Sequence, residues 1–132
     1  MIVVDASVLA NALADDGSDG GVARARLTVG DDLVAPDLVD VETVAVLRKR
    51  WMAGDLSKNR FSAAIDDLED LGLVRYPALP LMRRAFELRD NVTVYGAVYV
   101  ALAERIDCPL VTADQRLAAA PGITCSVEVL PT

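Results

Sequence analysis

Short apolar runs of strand character alternate with longer stretches of helical periodicity from one end of the chain to the other. This alternation constrains the architecture more than any other feature. Met1 to Val4, Leu33-Val34-Ala35, Val74-Arg75-Tyr76, Leu110-Val111-Thr112 and Val127 to Leu130 read as strands. Between them the pattern predicts a helix over Ser7 to Leu13, an Asp/Gly-rich loop over Asp15 to Gly21, and a weak helix over Val22 to Val29. A longer helix follows, with Asp37 as N-cap, an apolar stripe of Leu38, Val41, Val44, Ala45, Leu47 and Trp51, and Gly54 at its end. Ser57 caps another, stopped by Gly72. Pro80 opens a helix through Leu88, Thr93 opens one to about Ile106, and a helical turn lies near Gln115 to Ala118. Strands separated by helices imply a mostly parallel sheet of four or five strands with right-handed crossovers and helices on both faces, a three-layer α/β/α arrangement. A chain of 132 residues fits this as one domain, residues 1–132.

Several chemistries are excluded by what the chain lacks. It has no histidine, so imidazole bases, Ser-His-Asp triads and imidazole zinc sites are out of reach. Cys108 and Cys125 have no partner at metal-ligand spacing and read as small core hydrophobes. The net charge of −7 opposes a general basic surface for nucleic acid, although bound cations can reverse the sign of a local field. No apolar run approaches the roughly 20 residues of a membrane span, and the apolar start meets Asp5 at once without a basic leader, so a cytoplasmic location is expected.

Hydrolysis must then come from carboxylates, a metal, or both. In open α/β sheets the functional crevice lies beyond the carboxyl ends of the strands. Asp5 directly follows the first strand, Glu42 lies in the opening turns of the helix after the second, and Asp114 stands two residues past the fourth. Three converging carboxylates would repel one another unless a hard divalent ion such as magnesium or manganese held them together, and such an ion activates water against phosphorus. Ser7, Asn11 and Thr112 lie near the same edge, where hydroxyl and amide groups could orient a carboxylate. Each acid also has a plainer reading: Asp5 as a helix cap, Glu42 as a solvated helix residue, Asp114 as a turn former.

Four stretches resemble one family. Ile2-Val3-Val4-Asp5-Ala6-Ser7-Val8-Leu9, Ala35-Pro36-Asp37-Leu38-Val39-Asp40-Val41-Glu42, Tyr95-Gly96-Ala97-Val98-Tyr99-Val100-Ala101-Leu102-Ala103 and Leu110-Val111-Thr112-Ala113-Asp114-Gln115-Arg116-Leu117 are similar to PIN domains, and the short length is similar to VapC toxins. The resemblance implies a magnesium-dependent endoribonuclease, an RNA substrate, a cognate antitoxin and a homodimer. It makes Asp5 the first metal ligand, Glu42 the second acid and Asp114 the last. It also exposes a departure, because the family usually places a metal-binding aspartate where this chain has Gly96. With Thr93 as N-cap, position 96 is the third of its helix, where an acid would favour the helix dipole and glycine costs up to about 1 kcal/mol relative to alanine. That substitution is expected to weaken metal binding and cleavage while leaving the fold intact. Asp90 and Asn91, just before the helix, are the nearest groups that could compensate.

Basic residues occur in small groups, of which Arg116, beside the last acid, and Arg89 are the candidates for RNA phosphates. Two rival small α/β folds with acids at strand ends do not fit. A phosphate-accepting receiver needs paired acids after the first strand and a late lysine, but Ala6 follows Asp5 and the last lysine is Lys58. An Asp-x-Asp phosphatase needs an acid where Ser7 stands. A PIN fold that binds RNA or antitoxin without cleaving either is the alternative that Gly96 supports.

Overall fold

The computed structural model describes residues 1–132. Its elements are β1 (Ile2–Val4), α1 (Ala6–Ala14), α2 (Ser18–Leu27), β2 (Leu33–Pro36), α3 (Val39–Met52), α4 (Lys58–Asp70), β3 (Leu73–Tyr76), a 3-10 turn (Leu79–Leu81), α5 (Met82–Glu87), α6 (Val94–Arg105), β4 (Leu110–Thr112), α7 (Gln115–Ala119) and β5 (Val127–Val129). All pairings are parallel, in the order β3-β2-β1-β4-β5. The three inner strands are buried at every residue, which is why they read as unbroken apolar runs. The edge strands β3 and β5 are partly exposed, and each carries a charge tied to a helical arginine or acid: Arg75 is held by both carboxylate oxygens of Asp40, and Glu128 accepts from Arg26. Helix α6 lies across β1, β2 and β4 with α5 beside it, while α1 packs against α2, α3 and α4. The cysteines are half-buried and unpaired against this core, and burial pushes the Cys125 thiol up to about 11.

Two helices differ from expectation. Helix α2 begins at Ser18, inside the predicted loop, because the Asp15 carboxylate accepts from the amides of Gly17 (2.8 Å) and Gly20 (3.1 Å) and organises the first turn from outside. Gly20 is required there, since a Cβ would stand 1.7 Å from the Asp15 carbonyl oxygen. Helix α3 begins at Val39 without a side-chain cap. Asp37 is not its N-cap: the Asp37 amide donates to the Tyr76 carbonyl at 2.7 Å and its carboxylate accepts from Ala78, which commits the residue to the strand edge. The buried face of α3 is Val39, Thr43 and Leu47, so Val41 (75% exposed) and Trp51 (46% exposed) point outward. A threonine in the middle of the true stripe hid it from a purely apolar count.

One ion pair ties the second half of the chain together. The Arg84 guanidinium donates to both carboxylate oxygens of Glu104 (2.7 and 3.1 Å), and Thr124 donates to Glu104 through its amide and hydroxyl. The arginine holds Glu104 down at about 2. A carboxyl depressed in the folded state stabilises above its unfolded value near 4.5 and loses that contribution as pH falls toward 2. Glu104→Gln is therefore expected to cost about 2 kcal/mol at neutral pH. In thermal melts at pH 7 and pH 3, the gap between wild type and variant should shrink at the lower pH.

Candidate active site

Strand order sets the place. The chain builds outward through β1, β2 and β3, then returns to the other side of β1 for β4 and β5, so the connections diverge between β1 and β4. Beyond the carboxyl ends of these two strands lies a cavity of about 340 Å³ whose lining includes Asp5, Ser7, Glu42, Gly96, Tyr99 and Asp114. Four separate segments of the chain meet there.

Asp5 is the most constrained of them. Its amide donates to the Val111 carbonyl (3.3 Å), extending the β1–β4 ladder by one residue, and only 7% of the residue is exposed. It caps α1, with Oδ1 accepting from the Val8 amide at 3.2 Å, so the capping and site readings are both true of the same carboxylate. The Ser7 hydroxyl donates to Oδ1 at 2.6 Å and the Thr112 hydroxyl donates to Oδ2. Each of these hydroxyls in turn accepts a backbone amide, Ala113 at Ser7 (3.2 Å) and Asp114 at Thr112 (3.0 Å). With a lone pair of each oxygen engaged from the loop after β4, both protons are directed at Asp5. Burial raises the Asp5 carboxyl above its ordinary value, and these hydrogen bonds pull it back in part. No arginine or lysine bonds to it.

Glu42 projects from the first turn of α3 toward the same cavity, where its Oε1 accepts from the Tyr99 hydroxyl at 2.7 Å. Burial raises its carboxyl, the Tyr99 bond opposes that, and the charge of Asp5 adds to it. The two acids thus sense each other.

Asp114 lines the same cavity, but its carboxylate is engaged differently. The residue caps α7, and its carboxylate accepts from the Arg116 amide (2.9 Å), Nε (3.0 Å) and Nη2 (3.1 Å). That guanidinium lowers the Asp114 carboxyl. No three acidic or thiol side chains are gathered closely enough to hold a metal ion. The cavity offers an uncompensated pair, Asp5 and Glu42, with an internally paired acid at its rim.

The remaining candidates divide. Ser7 and Thr112 stand where expected. Asn11 does not: one helical turn beyond Ser7 on α1, it is carried away from the strand ends and accepts from Arg50 Nη2 at 2.6 Å in a second, polar depression. Arg89 also lies outside the cavity, stacked 4.2 Å over the Phe86 ring and donating to the Phe86 carbonyl. Asn91 lines the cavity, with its amide turned to the Pro121 carbonyl, whereas Asp90 does not reach it. Gly96 forms part of the wall and its amide donates to Thr93 Oγ1, the expected cap. A Cβ there would stand 3.0 Å from Leu117 Cδ2 and 3.2 Å from Val92 Cγ1, so these apolar side chains would have to give by a few tenths of an ångström. Sequence reasoning missed Tyr99, which reads as a core aromatic, although it lies one turn beyond Gly96 on the same helix face.

The PIN domain model matches residues 2–123. The chain belongs to the PIN-domain family. Within that family it groups with VapC proteins: Ribonuclease VapC1 of Mycobacterium tuberculosis is 42% identical over 129 residues, covering 97% of this chain and 96% of that one. Among solved structures, this PIN domain is similar to Mycobacterium tuberculosis VapC20, described as a sarcin-ricin loop cleaving toxin (TM-score 0.74, 18% identity, 99% and 100% of the two chains). It is also similar to VapBC-5 of the same organism, a member of the VapBC family of toxin-antitoxin systems (TM-score 0.58, 21% identity, 98% and 97%). The central parallel sheet flanked by helices is thus a PIN fold.

Proposed function

We propose that this PIN domain is a divalent-metal-dependent endoribonuclease, the toxin of a toxin–antitoxin pair, hydrolysing RNA phosphodiester bonds. One observation carries the reading: Asp5 and Glu42 are brought together at the strand switch point with no basic side chain to neutralise them. A buried acid facing a second acid is tolerable with a cation between them. The donor set suits magnesium, or manganese, because such ions take one or two carboxylates and complete their shell with water and substrate phosphate. When bound, the ion would supply Lewis-acid activation of water and neutralisation of the phosphate.

The protein's own groups do the rest. Ser7 and Thr112 fix the Asp5 carboxylate through hydroxyls that cannot turn elsewhere, so the ligand is set before substrate arrives. Glu42 supplies the second oxygen and a basic group beside the reacting water. Arg116, with its side chain 91% exposed at the rim, turns an otherwise repulsive Asp114 into a neutral pair and keeps Nη1 for a backbone phosphate. The VapC relatives support RNA as substrate and an antitoxin as partner. The same resemblance implies a homodimer, and no helix is long and apolar enough to cross a membrane.

Gly96 favours a second reading, in which the chain binds RNA or antitoxin without turnover. Incubating the purified protein with tRNA and ribosomal RNA, with magnesium or manganese and then with excess chelator, separates the two. Cleavage that needs the metal and stops with chelator is expected for the nuclease. RNA binding with no cleavage at any metal concentration would establish the module instead.

A further inference from the structure

Glu42 is the weakly anchored member of the acid pair. It is half-exposed, on a long flexible side chain, and faces a like charge on Asp5 that pushes it toward solvent. Its one side-chain hydrogen bond is the 2.7 Å contact from the Tyr99 hydroxyl. Tyr99, by contrast, is only 2% exposed: its ring is packed into the core beneath α6, and its hydroxyl end reaches the cavity. With Gly96 lacking a side chain, this phenol is the one polar group of α6 bonded to either acid.

We propose that Tyr99 is a positioning residue, whose rigidly packed hydroxyl holds the Glu42 carboxylate beside Asp5 against their mutual repulsion. Helix α6, which in this chain provides no acid of its own at position 96, contributes to the centre through this phenol. The inference builds on the proposed metal site, but its geometry can be tested without metal.

The test is Tyr99→Phe, which keeps the ring and removes only the donor. Two measurements are made: manganese affinity by titration calorimetry, and the side-chain rotamer of Glu42 in metal-free protein from NMR three-bond couplings. The expected result is a loss of about tenfold or more in manganese affinity, together with a Glu42 side chain that averages over rotamers where the wild type holds one. In the double variant Tyr99→Phe/Glu42→Ala the affinity should equal that of Glu42→Ala alone, because a residue acting through Glu42 has nothing left to position. A general packing defect would instead add to the loss. Unchanged affinity with an ordered Glu42 in Tyr99→Phe, or additive losses in the double variant, would overturn the proposal. If the wild type binds no manganese, the metal reading fails, and the Glu42 rotamer alone decides the role of Tyr99.

Discussion

Asp5→Asn should abolish manganese binding and reduce metal-dependent RNA cleavage at least a hundredfold, while the protein still folds. The substitution keeps the shape and the capping oxygen of α1. It removes the charge that a divalent ion would need and, with Oδ1 kept for Val8 and Ser7, sets an amide NH2 against the Thr112 hydroxyl, whose proton already points at it. Thr112 cannot readily turn away, since it accepts the Asp114 amide. One donor therefore faces another, at a cost of about 1–3 kcal/mol. Part of that cost is offset because burial disfavours the Asp5 charge in the folded protein. Calorimetric titration with manganese and a melting curve read the two effects separately. Unchanged manganese affinity in this variant would remove Asp5 from the metal site.

The second large effect is a gain. Gly96→Asp places a carboxylate where the resemblance to PIN domains implies one, and it adds an acid to the first turn of α6, worth up to about 1 kcal/mol for the helix. The single change is obstructed, because its Cβ arrives 3.0 Å from Leu117 Cδ2 and 3.2 Å from Val92 Cγ1. Leu117 must give way before the new acid can turn into the cavity. Metal affinity and cleavage are therefore expected to rise modestly in Gly96→Asp, and by tenfold or more in affinity when Leu117→Ala is added. The second substitution itself costs about 2–5 kcal/mol as a buried leucine truncation, so the double variant should be less stable yet more active. Equal manganese affinity and RNA turnover in wild type and both variants would show that glycine at 96 carries no functional penalty.

Much of the architecture was legible because parallel strands buried on both faces must be short apolar runs, and helices between them must carry periodic stripes. Val3, Val34 and Val111 could hardly be read otherwise. Misreadings arose where a polar residue took an apolar place or acted at a distance. Thr43 occupies the centre of the buried face of α3, and Asp15 starts α2 by bonding an amide five residues ahead. In the site, Asp5, Glu42 and Asp114 were visible because strand ends announce themselves. Their charge states were not, since those depend on which neighbour wins each side chain. Arg116 takes Asp114 through a contact two residues away, and Arg50 takes Asn11 from another helix. Tyr99 was hidden for the opposite reason, as a core ring whose single polar atom emerges at the cavity.

The two outer strands bear on how this molecule can assemble. A sheet grows by offering a free rim of amides and carbonyls to an incoming strand. Here both rims are guarded by a bridged charge, Arg75 with Asp40 on one side and Glu128 with Arg26 on the other. Charged side chains on an edge strand disfavour pairing with an incoming strand. Complexes of this chain should therefore form through its helical surfaces, leaving the five-stranded sheet its original width.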